Sequence, residues 1–403
     1  MRNAPEATSG WRGRWGLEAA ERGSNPAVWP DTRQELLLKA GLFDGDDAVR
    51  AWREWKADAE RHPLDPRSAQ ILPLVHHNLR DRAAHDSSIA ALRPRYLLTW
   101  ARNQKLFEVL RRTLLKLHDS GIDTLVFKGA ALVPLYYGDE GARSMGDFDV
   151  LVPEERFAEA ARLLRKAGWT ALYWDPDRFD TRFQHAIGFV DDDGNSVDVH
   201  CHLLMASCAP GADEAFWGSS VPLMIRGVET RSLCATDHFL QACVHGMKWV
   251  KSAPLRWVAD AVTVAGSAPA GVDWERLVRV CREREVSLHV AEPLEYLGRT
   301  FGLSVPAEVL RRLRESASGT ERRLFLAWTS SRRGRPIPLF LHHWFMYTRG
   351  LERAGAIEHV QAIPKYLRFW AQTDRLWKIP PRLAVKGARA VGHRLGLYRY
   401  WDS

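Results

Sequence analysis

Apolar positions along the chain change period twice, and each change predicts a change of structure. From Pro30 to Ser120 the spacing is helical: Leu36, Leu37, Leu38 and Ala40, then Trp52 and Trp55, then a run from Pro94 to His118. In that run Leu97, Leu98, Ala101, Leu106, Leu110, Leu114 and Leu117 recur mostly at three- and four-residue steps, which predicts one buried helix face ending at Gly121. Ile122 to Phe127 is short, β-branched and apolar, the pattern of a strand buried on both faces.

Lys128-Gly129 breaks that strand. Ala130 to Tyr137 has room for two helical turns, limited by Pro134, and Gly138 to Gly146 reads as a loop before a second strand, Asp147 to Val152. A helix is predicted over 153–167, with Pro153 as its first residue, Glu154 and Glu155 at its positive end and Gly168 closing it. Phe183 to Val190 and Ser196 to Leu203 flank Asp191-Asp192-Asp193-Gly194-Asn195, a hairpin signal. After residue 232 the pattern returns to helix through Trp370, with a cap expected at Thr236 or Asp237 and breaks at Gly266 to Gly271 and Gly302 to Pro306. The expected architecture is α+β: a disordered leader (1–28), an N-terminal helical segment (29–120), a small mixed-sheet core (121–232), a second helical segment (233–330) and a basic, aromatic tail (331–403).

Composition narrows the class. Apolar residues at 46% and charged residues at 26% of 403 are ordinary globular usage, which argues against a largely disordered or fibrous chain. The net charge of +8 is uneven, because residues 331–403 hold 14 Lys and Arg against 4 Asp and Glu, so the tail carries +10 and the rest 8 − 10 = −2. Within the tail Arg382, Lys386, Arg389 and His393 share one helical stripe, suited to weak binding of an anionic surface. The five cysteines form no CxxC pair, and no stretch approaches the ~20 apolar residues of a membrane span. The expected location is cytoplasmic, with a peripheral position at the inner membrane face left open. The 17 tryptophans are read as packing anchors.

The chemistry concentrates in three short segments. Residues two apart in a strand point the same way, so Asp147 and Asp149 project together while Phe148 and Val150 enter the core. Two such carboxylates repel each other unless a cation lies between them, and oxygen ligands favour Mg²⁺, with Mn²⁺ as an alternative. The later strand Val197-Asp198-Val199-His200-Cys201-His202 places Asp198, His200 and His202 on one side. If the two strands are neighbours, three carboxylates can hold two metal ions for a phosphoryl displacement. Lys128-Gly129 leading into a helix offers backbone N–H groups to phosphate, and Lys128 and Arg143 add positive charge. His200 is given a supporting role and His202 none. Zinc at His200, Cys201, His202 and Cys208 is disfavoured because alternation turns Cys201 away. His245 reads as a core histidine on an apolar helix, and Arg256 and Asp260 as a surface ion pair one turn apart.

The order Lys-Gly before a short helix, Arg-x-x-Gly-Asp-x-Asp-hydrophobic at 143–150, and hydrophobic-Asp-hydrophobic-His at 197–200 resembles the uncharacterised bacterial nucleotidyltransferase family of the DNA polymerase beta-type superfamily. The stretches NQKLFEVLRRTLLKLHDSGIDTLVFKGAAL and DHFLQACVHGMKWV followed by LRWVADAV are also similar to it, over roughly residues 30–300. The resemblance implies Asp147, Asp149 and Asp198 as catalytic metal ligands, and Lys128, Gly129, Arg143, Gly146 and His200 on the nucleotide side. In the wider superfamily the glycine turn is Gly-Ser or Gly-Gly; here Ala130 follows Gly129, so a hydroxyl contact to phosphate is missing. His245, Arg256 and Asp260 match recurring positions of the helical part. The implied reaction is transfer of a nucleoside monophosphate, AMP from ATP by default, to an acceptor hydroxyl or phosphate with two Mg²⁺ ions and release of diphosphate. The acceptor, a small molecule, peptide or protein, is not indicated. Two rivals stand beside it: a metal-dependent glycosyltransferase using a nucleotide sugar, and a non-catalytic nucleotide- or partner-binding module.

Overall fold

The computed structural model describes residues 29–59, 62–172, 175–205, 207–247 and 254–329, and in the C-terminal part 344–345, 347–349, 351, 355–371 and 377. The expected leader and the basic stripe from Arg382 to His393 lie outside the described residues. No helix among the described residues is long and apolar enough to cross a membrane.

The chain enters its first helix, α1 (Thr32–Leu42), through a capping box in which Asp31 accepts from the Gln34 backbone and Gln34 returns the bond. Helices α2 (Gly45–Ala59), α3 (Pro66–Ala69), α4 (Leu72–Leu79), α5 (Ser87–Ala90) and the long α6 (Arg93–His118) follow. The sheet then begins: β1 (Leu125–Phe127), the short α7 (Gly129–Leu132) running on as a π turn over Val133–Tyr137, β2 (Phe148–Leu151), α8 (Phe157–Lys166), β3 (Thr170–Ala171), the hairpin β4 (Ala186–Val190) and β5 (Ser196–His200), α9 (Glu214–Gly218), and a second hairpin, β6 (Val221–Ile225) and β7 (Val228–Ser232). Helices α10 (Ala235–Gly246), α11 (Arg256–Ser267), α12 (Trp274–Glu283), α13 (Ser287–Phe301), α14 (Ala307–Ser316) and α15 (Gly319–Thr329) complete the main body, with a further helix at Ala356–Ala371.

The strands form one mixed sheet in the order β3-β4-β5-β2-β1-β7-β6. Most neighbours are antiparallel, but β2 runs parallel to β5 and β1 parallel to β7. Alternation sorts the side chains. Val126, Phe148, Val150, Val197 and Val199 enter one apolar cluster with α6 and α8. Leu125, Phe127 and Leu151 enter the other, where the N-terminal helices and α10–α14 share a single core. The fold is therefore α+β with the sheet between two helical layers, and Asp149 and His200 belong to the second face.

Several expectations are corrected. Leu97 and Leu98 are 44% and 72% exposed, and Ala101 is exposed; Leu106, Leu110, Leu114 and Leu117 are buried as expected, and Thr99 and Asn103 set the first turns of the buried face instead. Pro153 lies outside its helix with extended ψ, and a single 3₁₀ turn at Glu154–Arg156 precedes α8. Helix α10 starts at Ala235 after Cys234; Thr236 accepts from the Asp273 N–H (2.8 Å) and Asp237 pairs with Arg276 (2.6 Å). Trp52 and Trp257 are buried anchors, whereas Trp100, Trp344 and Trp377 are exposed.

Candidate active site

Three adjacent strands carry the site. Across the β1–β2 ladder Phe127 is the partner of Asp149, and across the parallel β2–β5 ladder Asp149 is the partner of Asp198. Facing residues on neighbouring strands send their side chains to one side of the sheet, so the two carboxylates are brought together by backbone register. His200, two residues on from Asp198, joins them. Ligand atoms of Asp149, Asp198 and His200 lie within 4.8 Å of one another, with Asp149 and His200 buried and Asp198 half-buried. Gly188 faces Asp198 from β4, and a Cβ there would stand 3.0 Å from Asp198 Oδ1.

The donor set suits a cation. His200 Nε2 lies 3.0 Å from Asp149 Oδ1 and Nδ1 lies 3.3 Å from the His202 carbonyl. In the tautomer whose Nδ1–H donates to that carbonyl, Nε2 turns a lone pair towards the carboxylates, the orientation that a backbone acceptor imposes on metal-binding histidines. Burial raises the Asp149 carboxyl, but the Lys128 charge and the His200 contact outweigh it and hold the group well below the ordinary carboxylate range. Burial likewise opposes the Lys128 charge, and Asp149, then Asp147 and Asp198, more than restore it. Lys128 Nζ and Asp149 Oδ1 form an ion pair.

Lys128 occupies the turn between β1 and α7 with φ 51° and ψ −139°, a left-handed region rarely adopted by residues with a side chain. Such an outlier persists where the surroundings over-determine it, and here strand β1 on one side and the buried α7 on the other do so. Gly129 follows under a roof: a Cβ there would collide with Arg143 Nη1 and come within 2.8 Å of the Met145 side chain.

Arg143 is buried and bidentate to Asp260, with Nε and Nη2 each 2.7 Å from a carboxylate oxygen. Tyr137 adds a 2.7 Å hydroxyl bond to the same carboxylate. The expected Arg256–Asp260 surface pair is thus replaced: Asp260 is buried against Arg143, and Arg256 Nη1 donates to the Ser144 carbonyl at 2.8 Å. The helical one-turn spacing was real, but the stronger partner came from a distant loop.

Beside the cluster opens a polar cleft, about 560 Å³ at its open extent, whose walls include Lys128, Gly129, Asp147, Asp149, Gln241 and Arg256. Asp147 precedes β2 at the mouth of this cleft. Desolvation by the cleft walls, then the Asp149 charge, push its carboxyl upward. It stands outside the tight cluster, whose third ligand is His200.

With this geometry in view, comparison with known proteins is decisive on one point. The profile of a family described as "Uncharacterised nucleotidyltransferase" matches residues 67–302, more than half of the chain. The chain belongs to this family. A solved structure titled as an antigenic nucleotidyltransferase-like protein from Paracoccidioides brasiliensis is similar at 13% identity with a TM-score of 0.33, over 54% of this chain and 95% of that one. No curated protein matches.

In this nucleotidyltransferase-family chain the residues expected from sequence separate into groups. Asp149, Asp198 and His200 converge, and Asp147, Lys128 and Gly129 line the adjoining cleft. Arg143 also lines it, but two of its nitrogens are committed to Asp260. Gly146 is exposed and a Cβ there would meet nothing within 4 Å, so no steric need for glycine is visible. His202 leaves the strand and is held by Asp213 (2.7 Å) and the Thr181 carbonyl (3.1 Å). The thiols of Cys201 and Cys208 point to backbone carbonyls, and the disfavoured zinc quartet is not gathered among the described residues. His245 is a cleft residue rather than a core one. Gln241 and Gly188 went unpredicted; the glycine in the middle of an alternating strand was the available signal for the latter.

Proposed function

We propose that the chain transfers a nucleoside monophosphate, AMP from ATP as the working donor, to an acceptor group, releasing diphosphate, in the manner of the polymerase beta-type superfamily. The observation that carries this reading is the register that makes Asp149 and Asp198 partners on parallel strands, with His200 within ligand distance of both. Asp149, Asp198 and His200 would hold a divalent cation, and Asp147 at the cleft mouth would serve a second. Bound Mg²⁺ supplies charge neutralisation at the reacting phosphate and acidifies the attacking hydroxyl.

The remaining roles belong to the chain itself. Lys128, held at the strand–helix turn, and Arg256, half-buried at the cleft wall, face the triphosphate with positive charge. Gly129 lines the cleft, and its missing side chain leaves the room that Arg143 and Met145 occupy over the turn, so that its backbone N–H would face the phosphates. Asp149 Oδ1 is already paired with Lys128 and lies 3.0 Å from His200 Nε2, whereas the Asp198 side chain makes no hydrogen bond or ion pair among the described residues. Of the two paired carboxylates, Asp198 keeps an oxygen that no protein donor claims and would take the acceptor's proton. Labelled ATP with Mg²⁺ and the purified chain should release diphosphate, and Asp149→Asn should abolish that release with the circular dichroism spectrum unchanged. A preference for UDP-sugars over ATP would replace this reading with sugar transfer.

A further inference from the structure

A second cleft, about 790 Å³ at its open extent, adjoins the polar one and shares Lys128, Gln241 and His245 with it. Its character is opposite. Leu203, Leu204, Val286, Leu324 and Phe345 make its walls, and Lys128, paired to Asp149, is the one Lys or Arg among the described residues that line it. At one end are Lys128 and His200, next to the carboxylate cluster; elsewhere in the wall stand Glu285 and Glu321.

Glu321 is the informative residue. It is 2% exposed, and its Oε1 accepts from the Leu288 N–H at 2.7 Å, but its Oε2 is buried without a hydrogen-bond partner among the described residues. An unpaired buried carboxylate oxygen costs about 1–3 kcal/mol or more, so native structures rarely keep one without a use. Burial pushes this carboxyl up to about 7, and the Leu288 N–H and the charges of Arg322 and Arg349 offset that only in part. Glu285, by contrast, is already paired with Arg349 at 3.4 Å.

We propose that this cleft is the acceptor site and that the acceptor is a small amphipathic molecule, an apolar body with an amine that meets Glu321 and a hydroxyl presented at the Lys128 and His200 end. The word acceptor rests on the nucleotidyl-transfer reading; the chemistry of the ligand rests on the cleft alone. Apolar walls give a polyphosphate little to bind, so an amphipathic body suits the cleft better than a nucleic acid or a sugar phosphate.

The test separates the two claims. Saturation-transfer NMR on the full chain, with no nucleotide or metal, uses ω-aminooctanol, octanediol and glucose phosphate as probes. Transfer to the amino alcohol methylenes is expected, with binding about tenfold tighter than the diol, the weight of one charge-assisted hydrogen bond. Glu321→Gln should remove that preference while retaining the diol, and Leu324→Trp, which fills the cleft, should remove both. No transfer from the amino alcohol, a preference untouched by Glu321→Gln, or stronger binding of glucose phosphate would overturn the assignment. Calorimetry with Mg²⁺-ATP on the same samples reads the nucleotide side independently. ATP binding without amino alcohol binding sinks this inference alone, and the reverse sinks the transfer reading alone.

Discussion

Asp149 and Asp198 are partners across a parallel ladder, β2 against β5, although helix α8 and strands β3 and β4 separate them in the chain. Parallel pairing sends both carboxylates to the sheet face that meets α10 and α11, and His200 follows by the two-residue period. The candidate metal site is thus a property of strand register. A one-residue slip of β5 would turn Asp198 and His200 into the apolar cluster and Val197 and Val199 out of it.

Gly188 keeps space for Asp198. In Gly188→Ala the new Cβ sits 3.0 Å from Asp198 Oδ1 and displaces it. We expect a chain that folds normally and binds Mn²⁺ about tenfold more weakly, the usual effect of disturbing a group that orients a ligand. Paramagnetic titration of wild type and variant checks this; equal affinities would show that Gly188 has no part in placing Asp198.

The Arg143–Asp260 pair ties α11 to the loop before β2. Asp260→Ala leaves a buried guanidinium without its carboxylate and should lower unfolding free energy by roughly 3–5 kcal/mol. Urea denaturation followed by tryptophan fluorescence measures it. A loss below about 1 kcal/mol would mean that the pair is solvated in solution.

Glu321 gives the stability a pH dependence. Its folded value of about 7 lies above the ordinary 4.5, raised by burial and by Glu285 against Arg322 and Arg349. The folded chain therefore holds this proton more tightly than the unfolded one. The resulting stabilisation is complete below about pH 4.5 and is lost as pH rises through about 7. Relative to Glu321→Gln, which does not titrate, the wild type should lose on the order of 3 kcal/mol between about pH 5 and pH 8. Parallel denaturation curves for the two proteins would contradict this.

What could be read from the chain, and what could not, follows from the range of the interactions. Alternation within Asp147–Val152 and Ser196–His200 is local, so the directions of Asp149, Asp198 and His200 were legible, as were the hairpin and the helix breaks near Gly271 and Gly302. The first turns of the α6 face were not. Asn103 donates to the carbonyls of Glu140 and Arg143, and this polar anchor turns Thr99 and Asn103 inward and Leu97 and Leu98 out. The same long range concealed Asp260 from Arg143. The β6–β7 hairpin did carry a local mark: apolar Val221, Leu223 and Ile225 lead into Arg226-Gly227, both at positive φ, a two-residue turn. That His200, rather than Asp147, completes the tight cluster depends on where β2 begins, one residue after Asp147.

Mn²⁺ titration of the wild type and of Asp198→Asn, followed by electron paramagnetic resonance with melting curves alongside, addresses the convergence most directly. The wild type should bind the ion and Asp198→Asn should bind it at least about tenfold more weakly at an unchanged melting temperature. Equal affinity in the two proteins would mean that Asp198 does not share an ion with Asp149 and His200, and the site described above would not be a metal centre.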